Sequence, residues 1–361
     1  AAGARPAAGR LQVGITAGPA GTPDYYVRNL VLAQTGATPL TTDFFADPFN
    51  AVIPAARADG TTISAQAIMA GGFGRVELLA SELLRIEPDT ALNLGAGGTF
   101  SASASRIEID GAVSAPSGTI TLNALPTIVT GATPVPDADV SVVFAPGASL
   151  STAGYWTNDG YGSARSIDAP VATAGGSIKI AAYDSVRLPA GAALDVSAGA
   201  WRDATGKLSY GKAGSIDLAA NAGNGDPLVQ TGTVQLDGSV SGYGFSGGGS
   251  FTLATLDLTV SDTAIAGLWL KPAFFSDNGF ETISLKSIRD LTIADNTTIA
   301  ARLRNRVLNG DAAVRESGTA ISALSHFANA AEVDDVARKS VILSFAATRL
   351  PSASSGIEGA N

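Results

Sequence analysis

The stretch GGSIKIAAYDSVRLPAGAALDVSAGAW, residues 175–201, carries the unit from which the chain is built. After Gly175 and Gly176, Ile178 and Ile180 fall on one side of an extended segment, with Ser177, Lys179 and Ala181 on the other. That alternation has period two, the signature of a strand with one buried face. The same pairing returns at Val186 and Leu188, breaks at Pro189-Ala190-Gly191, and resumes at Leu194 and Val196. Strands this short form no stable sheet alone.

Both halves of the unit recur. A Gly two residues before an apolar-x-apolar pair stands at Gly74, Gly98, Gly118, Gly176, Gly214 and Gly249, ahead of Val76, Phe100, Ile120, Ile178, Ile216 and Phe251. Ile283 and Leu285 fit with Glu281 in the Gly place. The broken pairs also keep register: Leu84 to Leu92, Val142 to Leu150, Val186 to Leu194 and Leu291 to Ile299 are each a step of 8. In Ile107 to Val113 and Val234 to Val240 the turn is two residues shorter. Short strands repeating in register bury their apolar faces by stacking rung on rung, and the expected fold is all-β, a right-handed parallel β-helix. An antiparallel sandwich or barrel would not need such a unit to recur.

The whole of 1–361 reads as one β-helical shaft segment of a larger protein. Irregular runs become loops inserted at fixed corners, at 123–140, 155–174, 199–212, 221–232 and 310–340. Ile321, Leu324, Phe327, Ala328 and Ala331 have helical spacing, so a helix is expected over 319–338.

Composition narrows the chemistry. Cysteine is absent and His326 is the single histidine, which excludes disulfides, thiolate metal sites and a cysteine nucleophile. With 23 Lys and Arg against 32 Asp and Glu, the net charge of −9 argues against nucleic acid as a partner. No apolar run reaches the roughly 18 residues of a spanning helix. The opening AAGARPAAGR has no apolar signal-peptide core and makes a poor cap, and the closing SASSGIEGAN reads as a further turn. The expectation is a piece of a longer shaft whose open strand edges associate end to end.

Several segments resemble filamentous haemagglutinin-type exoproteins of two-partner secretion systems: residues 175–201, DPFNAVIPAARADGTTISAQAI (47–68), GYGFSGGGSFTLA (242–254) and LWLKPAFFSDNGFETISLKSIRDLTIADNTTI (268–299). The resemblance implies a β-helical shaft exported through an outer-membrane transporter to the bacterial cell surface. It also implies roles in adhesion, biofilm or cell–cell contact, without catalysis or cofactor. The family's N-terminal secretion domain is not recognisable in this chain. A host or neighbouring-cell surface, including its carbohydrate, is the partner expected. A passive stalk presenting a distal effector, or a polysaccharide-degrading enzyme on the same fold, is the alternative.

An enzyme of that kind needs two or three converging carboxylates. Asp195, Asp217, Asp237 and Asp257 step by 22, 20 and 20, but they occupy different places in the unit and read as outward polar residues. No tandem Gly-Gly-x-Gly-x-Asp repeat indicates calcium, and Asn158-Asp159-Gly160 and Asp277-Asn278-Gly279 are turn sequences, so no metal site is read. The candidate binding residues are aromatic. Tyr155, Trp156 and Tyr161 lie in one insertion, Trp201 and Tyr210 in the equivalent insertion of the next rung. Such rings suit contact with sugars or proteins, or else they pack on the flank and stiffen the loops.

Overall fold

The computed structural model describes residues 9–14, 27–36, 60–126, 139–160, 171–222, 230–328 and 339–347. The chain is mostly β, with long parallel sheets consistent with a β-helix. Among the described residues, a long sheet stacks nine strands, from Arg10–Val13 through Ser177–Ala182 to Ile342–Ala347. A second sheet holds seven, among them Arg106–Ile109, Val142–Phe144, Val186–Leu188 and Val234–Leu236, and a third holds five, among them Ser149–Ser151, Ala193–Asp195 and Ser239–Ser241. Between Arg75 and Ser241 the chain visits long, second and third sheets in rotation.

The register is the one the repeat dictates. Val76, Phe100, Ile120, Ile178, Ile216, Phe251 and Ile283 are successive partners across the long sheet. Leu84, Ile107, Val142, Val186 and Val234 are partners in the second sheet, and Leu92, Val113, Leu150, Leu194 and Val240 in the third. Ile178, Ile180, Leu188, Leu194, Val196, Ile216 and Leu218 are each no more than 1% exposed and join one continuous core. Burial of each such side chain is worth roughly 1.5–3 kcal/mol. The rung Leu291–Ile293 departs from the pattern, with Ile293 47% exposed, because among the described residues it is the edge strand of its sheet.

Steric demand explains the recurring glycine. A Cβ on Gly214 would stand 1.8 Å from the Gly176 carbonyl oxygen, and one on Gly176 2.1 Å from that of Gly118. Glu281 escapes the clash because the register shifts there, so it bulges outward and pairs with Lys339 at 3.4 Å. The turns inside the broken pairs share one demand too. Asp89, Gly147, Gly191 and Asn296 all adopt positive φ, each five residues after the first apolar member. Only residues tolerant of the left-handed region serve there.

Two short helices close the core. Ser64 caps Ala65–Ala70 by accepting from the Ala67 N–H, and Ile68 is buried beneath. Phe274–Asp277 inserts Phe275, 1% exposed, against Phe274 and Phe345, while Phe274 meets Phe251, which in turn meets Phe280.

The helix expected over 319–338 is corrected. Only Ile321–Leu324 is helical; Ser325–Phe327 is a strand, antiparallel to Arg306–Leu308, and 329–338 lie outside the described residues. Pairing with a strand 17 or more residues upstream overrides the local spacing, and the Ser325 hydroxyl donates to the Ile321 carbonyl where the turn of helix ends. Two insertions are anchored at their bases. Asn221 clamps one by donating to the Gly232 carbonyl at 2.7 Å and accepting from the Gly232 N–H at 2.9 Å. Asn123 still belongs to the long-sheet strand Thr119–Ala124, and 127–138 lie outside the described residues.

Replacing Ile216 by Asp puts an unpaired charge into the dry interior and should cost about 4 kcal/mol. Asp217→Asn, one residue away on the exposed outer face, should stay within about 0.5 kcal/mol. Urea unfolding of the two variants measures the contrast, and equal losses would contradict the inward assignment.

Candidate functional site

The two aromatic insertions meet. Trp156–Asn158 pairs in parallel with Ala200–Arg202, which turns back into Leu208–Tyr210, and the three make a small sheet on the flank. Trp156, Ala200 and Tyr210 share one row; Thr157, Trp201 and Ser209 share the next. Neighbouring rows point to opposite faces. The candidate rings are thus divided between two sides of one sheet.

Trp156 is fully buried and presents nothing to a ligand, which corrects its place among the contact residues. It packs with Ala200, Ala312 and Leu324, flanked by Phe245, Leu308 and Ile321, and its indole N–H donates to the Arg315 carbonyl at 3.2 Å. The cover comes from a segment far along the chain. Asn158 donates from its side chain to the carbonyls of Ala313 and Arg315, and the Gly318 N–H donates to the Trp156 carbonyl. Residues 310–324 therefore form a strap laid back over the flank sheet.

The remaining candidates keep some surface. Trp201 is half-buried on the other face, its indole N–H donating to Asp159 at 2.9 Å. Tyr155 is half-buried as well. Tyr210 is 45% exposed and stacks on Phe245, ring centres 5.1 Å apart. Tyr161 lies outside the described residues.

Sequence reading missed a neighbouring cluster. Tyr243 meets Phe327 at 4.8 Å, Arg304 lies 4.2 Å over Phe327, and the Arg306 guanidinium contacts both rings, 5.0 Å from Tyr243 and 4.8 Å from Phe327. Burial disfavours the Arg306 cation, against a pull from Tyr243 and Asp195. The signal was present as alternating arginines in ARLRNRV, 301–307. His326 accompanies this hairpin, its Nδ1 hydrogen-bonded to Asn309 at 2.8 Å.

The four aspartates do not converge. Asp195 belongs to the third sheet and Asp217 to the long sheet, while Asp237 follows a second-sheet strand and Asp257 binds Arg289. Among the described residues no group of three or more His, Asp or Glu could hold a metal ion.

Charge collects instead on the outside of the second sheet. Arg85 pairs with Asp110 at 2.6 Å, Arg106 with Glu108 at 2.7 Å, and Asp139 receives both Arg106 and Arg187. Partial burial works to raise the Asp139 carboxyl, but hydrogen bonds from Arg187, Ser141 and Arg106 outweigh it and hold it at about 2. This clasp sits at the base of the 123–140 insertion.

The chain matches no protein-family model, no curated protein and no solved structure.

Two measurements follow from this geometry. Trp156→Ala and Leu324→Ala should couple by roughly 0.5–3 kcal/mol in a double-mutant cycle, because both rings of contact belong to one cluster. Trp156→Ala and Trp201→Ala, on opposite faces, should add more nearly independently; coupling as large as the first pair's would place them on one face. Asp139 is depressed when folded, so its contribution is present above the ordinary carboxylate pKa of about 4 and fades as pH falls toward 2. With Asp139 40% exposed, solvent screening keeps that contribution near 1 kcal/mol or below. The melting temperature of Asp139→Asn should trail the parent at pH 7 and meet it near pH 2; a gap that persists there would mean the carboxylate is not the source.

Proposed function

We propose that the chain is a stretch of right-handed parallel β-helix from a secreted, cell-surface shaft of the filamentous haemagglutinin type, acting by contact rather than catalysis. One observation carries the reading: the parallel register of the long sheet from Val76 to Ile283, shifted once at the Glu281 bulge and packed on a continuous apolar core. At about 4.8 Å per step, eight steps in that sheet make a rod near 38 Å long. Such a rod sets surfaces at fixed spacing from whatever anchors it. Export through an outer-membrane transporter belongs to the same proposal. So does end-to-end association through Ile342–Ala347, the last strand of the long sheet, where Ile342 and Phe345 are 58% and 36% exposed.

The contact surface proposed is the rim of the flank sheet, with Tyr155, Trp201 and Tyr210 presenting rings with polar edges to sugars or proteins of an opposing cell. The polysaccharide-degrading alternative draws no support from Asp195, Asp217, Asp237 and Asp257, which stand on separate sheets and turns.

Beads coated with the protein should adhere to epithelial cells, bacterial cells or immobilised glycans more than albumin-coated beads do. Tyr210→Ala should weaken that adhesion without lowering the melting temperature by more than a few degrees. Adhesion at the albumin level on all three surfaces would overturn the proposal, and release of reducing ends from a polysaccharide would put an enzyme in its place.

A further inference from the structure

The strap over the flank sheet is rooted at an Asn–Gly step. Asn309 follows the strand Arg306–Leu308, and Gly310 opens the short 3-10 turn Gly310–Val314. Backbone bonds hold the root: the Asn309 N–H donates to the Leu324 carbonyl at 2.7 Å, and the Ala312 N–H donates to the Asn309 carbonyl at 3.0 Å. The Asn309 carboxamide takes no part in capping the turn. Its Oδ1 lies 2.8 Å from His326 Nδ1 on the facing strand Ser325–Phe327. A carboxamide oxygen only accepts, so Nδ1 carries the hydrogen and donates it.

Gly310 leaves this step open. It is exposed, no atom stands within 4 Å of where a Cβ would lie, and its N–H donates to nothing among the described residues. The other Asn–Gly step among the described residues, Asn278–Gly279, is held on both sides. Asn278 commits its carboxamide nitrogen to the Phe274 carbonyl at 3.1 Å, and its own carbonyl receives the Gly242 N–H. Gly279 packs so closely on Tyr243 that a Cβ would lie 2.5 Å from the ring. A third step, 224–225, lies outside the described residues.

We propose that Asn309 is a self-modifying site that converts to isoaspartate and so releases the strap from Trp156. The Gly310 amide nitrogen gives up its proton to solvent and attacks Asn309 Cγ. The new N–Cγ bond closes a succinimide ring, the Cγ–Nδ2 bond breaks, and Nδ2 leaves as ammonia with a proton taken from water. Water then opens the ring at either carbonyl, to aspartate or to isoaspartate. His326 assists the first step, because its Nδ1–H meets the oxygen on which negative charge gathers as the nitrogen adds. Ring closure turns the Asn309 Cα–C bond from its ψ of 153°. Gly310, exposed and without a side chain, permits that rotation. Isoaspartate routes the main chain through Cβ and adds a methylene where Leu324 and Ala312 now hold it. The strap is otherwise lightly kept: within 310–323 only Ala312 is buried, and the bonds that tie it to the flank sheet run to Trp156 and Asn158. Segments with so few buried contacts open at low free energy. The inference stands apart from the shaft reading.

The test incubates the full chain in warm, mildly alkaline buffer. Proteolytic peptides are mapped by mass for the Asn-to-Asp change, and isoaspartyl methyltransferase labelling reads the isoaspartyl product. Asn309 should convert while Asn278 stays intact. Gly310→Ala, which the open space accommodates, crowds the attacking nitrogen and should all but abolish conversion. His326→Ala should slow it by about fivefold, the rate equivalent of one hydrogen bond, and His326→Gln, which keeps a donor, should restore most of the rate. The chain has three tryptophans, so a Trp201→Phe, Trp269→Phe background leaves Trp156 as the sole emitter. Acrylamide quenching of Trp156 should rise as isoaspartate accumulates and stay low in Gly310→Ala incubated alongside. Asn309 left unconverted, Asn278 converting as fast, no slowing in His326→Ala, or Trp156 still shielded after conversion would each overturn the proposal.

Discussion

The stacking of one backbone directly on the next, at the spacing of a parallel β ladder, constrains everything else in this molecule. At the corner before each long-sheet strand the chains approach so closely that a methyl group on Gly118, Gly176 or Gly214 would collide with the carbonyl of the rung before. The glycine is therefore not decoration on a strand pattern. It sets where each rung begins, and the apolar pair two residues later must fall on the core face. Once that corner is fixed, a one-residue slip anywhere would turn an entire rung inside out. This is why the partners from Val76 to Ile283 hold one register across more than two hundred residues.

That constraint also separates what the sequence discloses from what it conceals. The core was legible because each rung repeats its neighbour's demands, so Ile178, Ile216 and Leu194 could be assigned inward by comparison within the chain. The structure adds one regularity to this, a left-handed residue at one place in the turn of the unit: Asp89, Gly147, Gly191 and Asn296. The flank was not. The complete burial of Trp156 depends on residues 310–324, more than 150 positions away, and nothing in the local pattern distinguishes Trp156 from Trp201. The same strap explains the misread helix. Ile321 and Leu324 do take one helical turn, but Phe327 answers to a partner strand and to Arg304 and Arg306, whose pull no periodicity count contains.

Variation is confined to places where the stacking rule is relaxed or satisfied by other means. Glu281 occupies a glycine position only because an added residue bulges there, and it then finds Lys339. The insertion at 221–232 leaves the rung through a neck held by the Asn221 carboxamide, which replaces the ladder bonds the excursion removes. Asp139 does similar work with charge, drawing Arg106 and Arg187 together across the intervening Val143 rung. In each case a polar side chain anchors the edge of an irregular segment, so the core beneath keeps its register while the surface changes.

The end of the second sheet at Val234–Leu236 is different in kind, because among the described residues the ladder does not continue there and Leu258–Val260 joins a separate sheet with Trp269–Leu270 and Leu291–Ile293. Unpaired strand edges are normally blunted by charge, proline or a covering element. Here Val234, Leu268 and Leu270 are buried on both sides of the change of sheet, so the apolar core continues beneath it. The sequence LDLTVSDTAIAGLWLKP, 256–272, reads as two ordinary apolar pairs, so nothing in it announces that the second pair lies against the first.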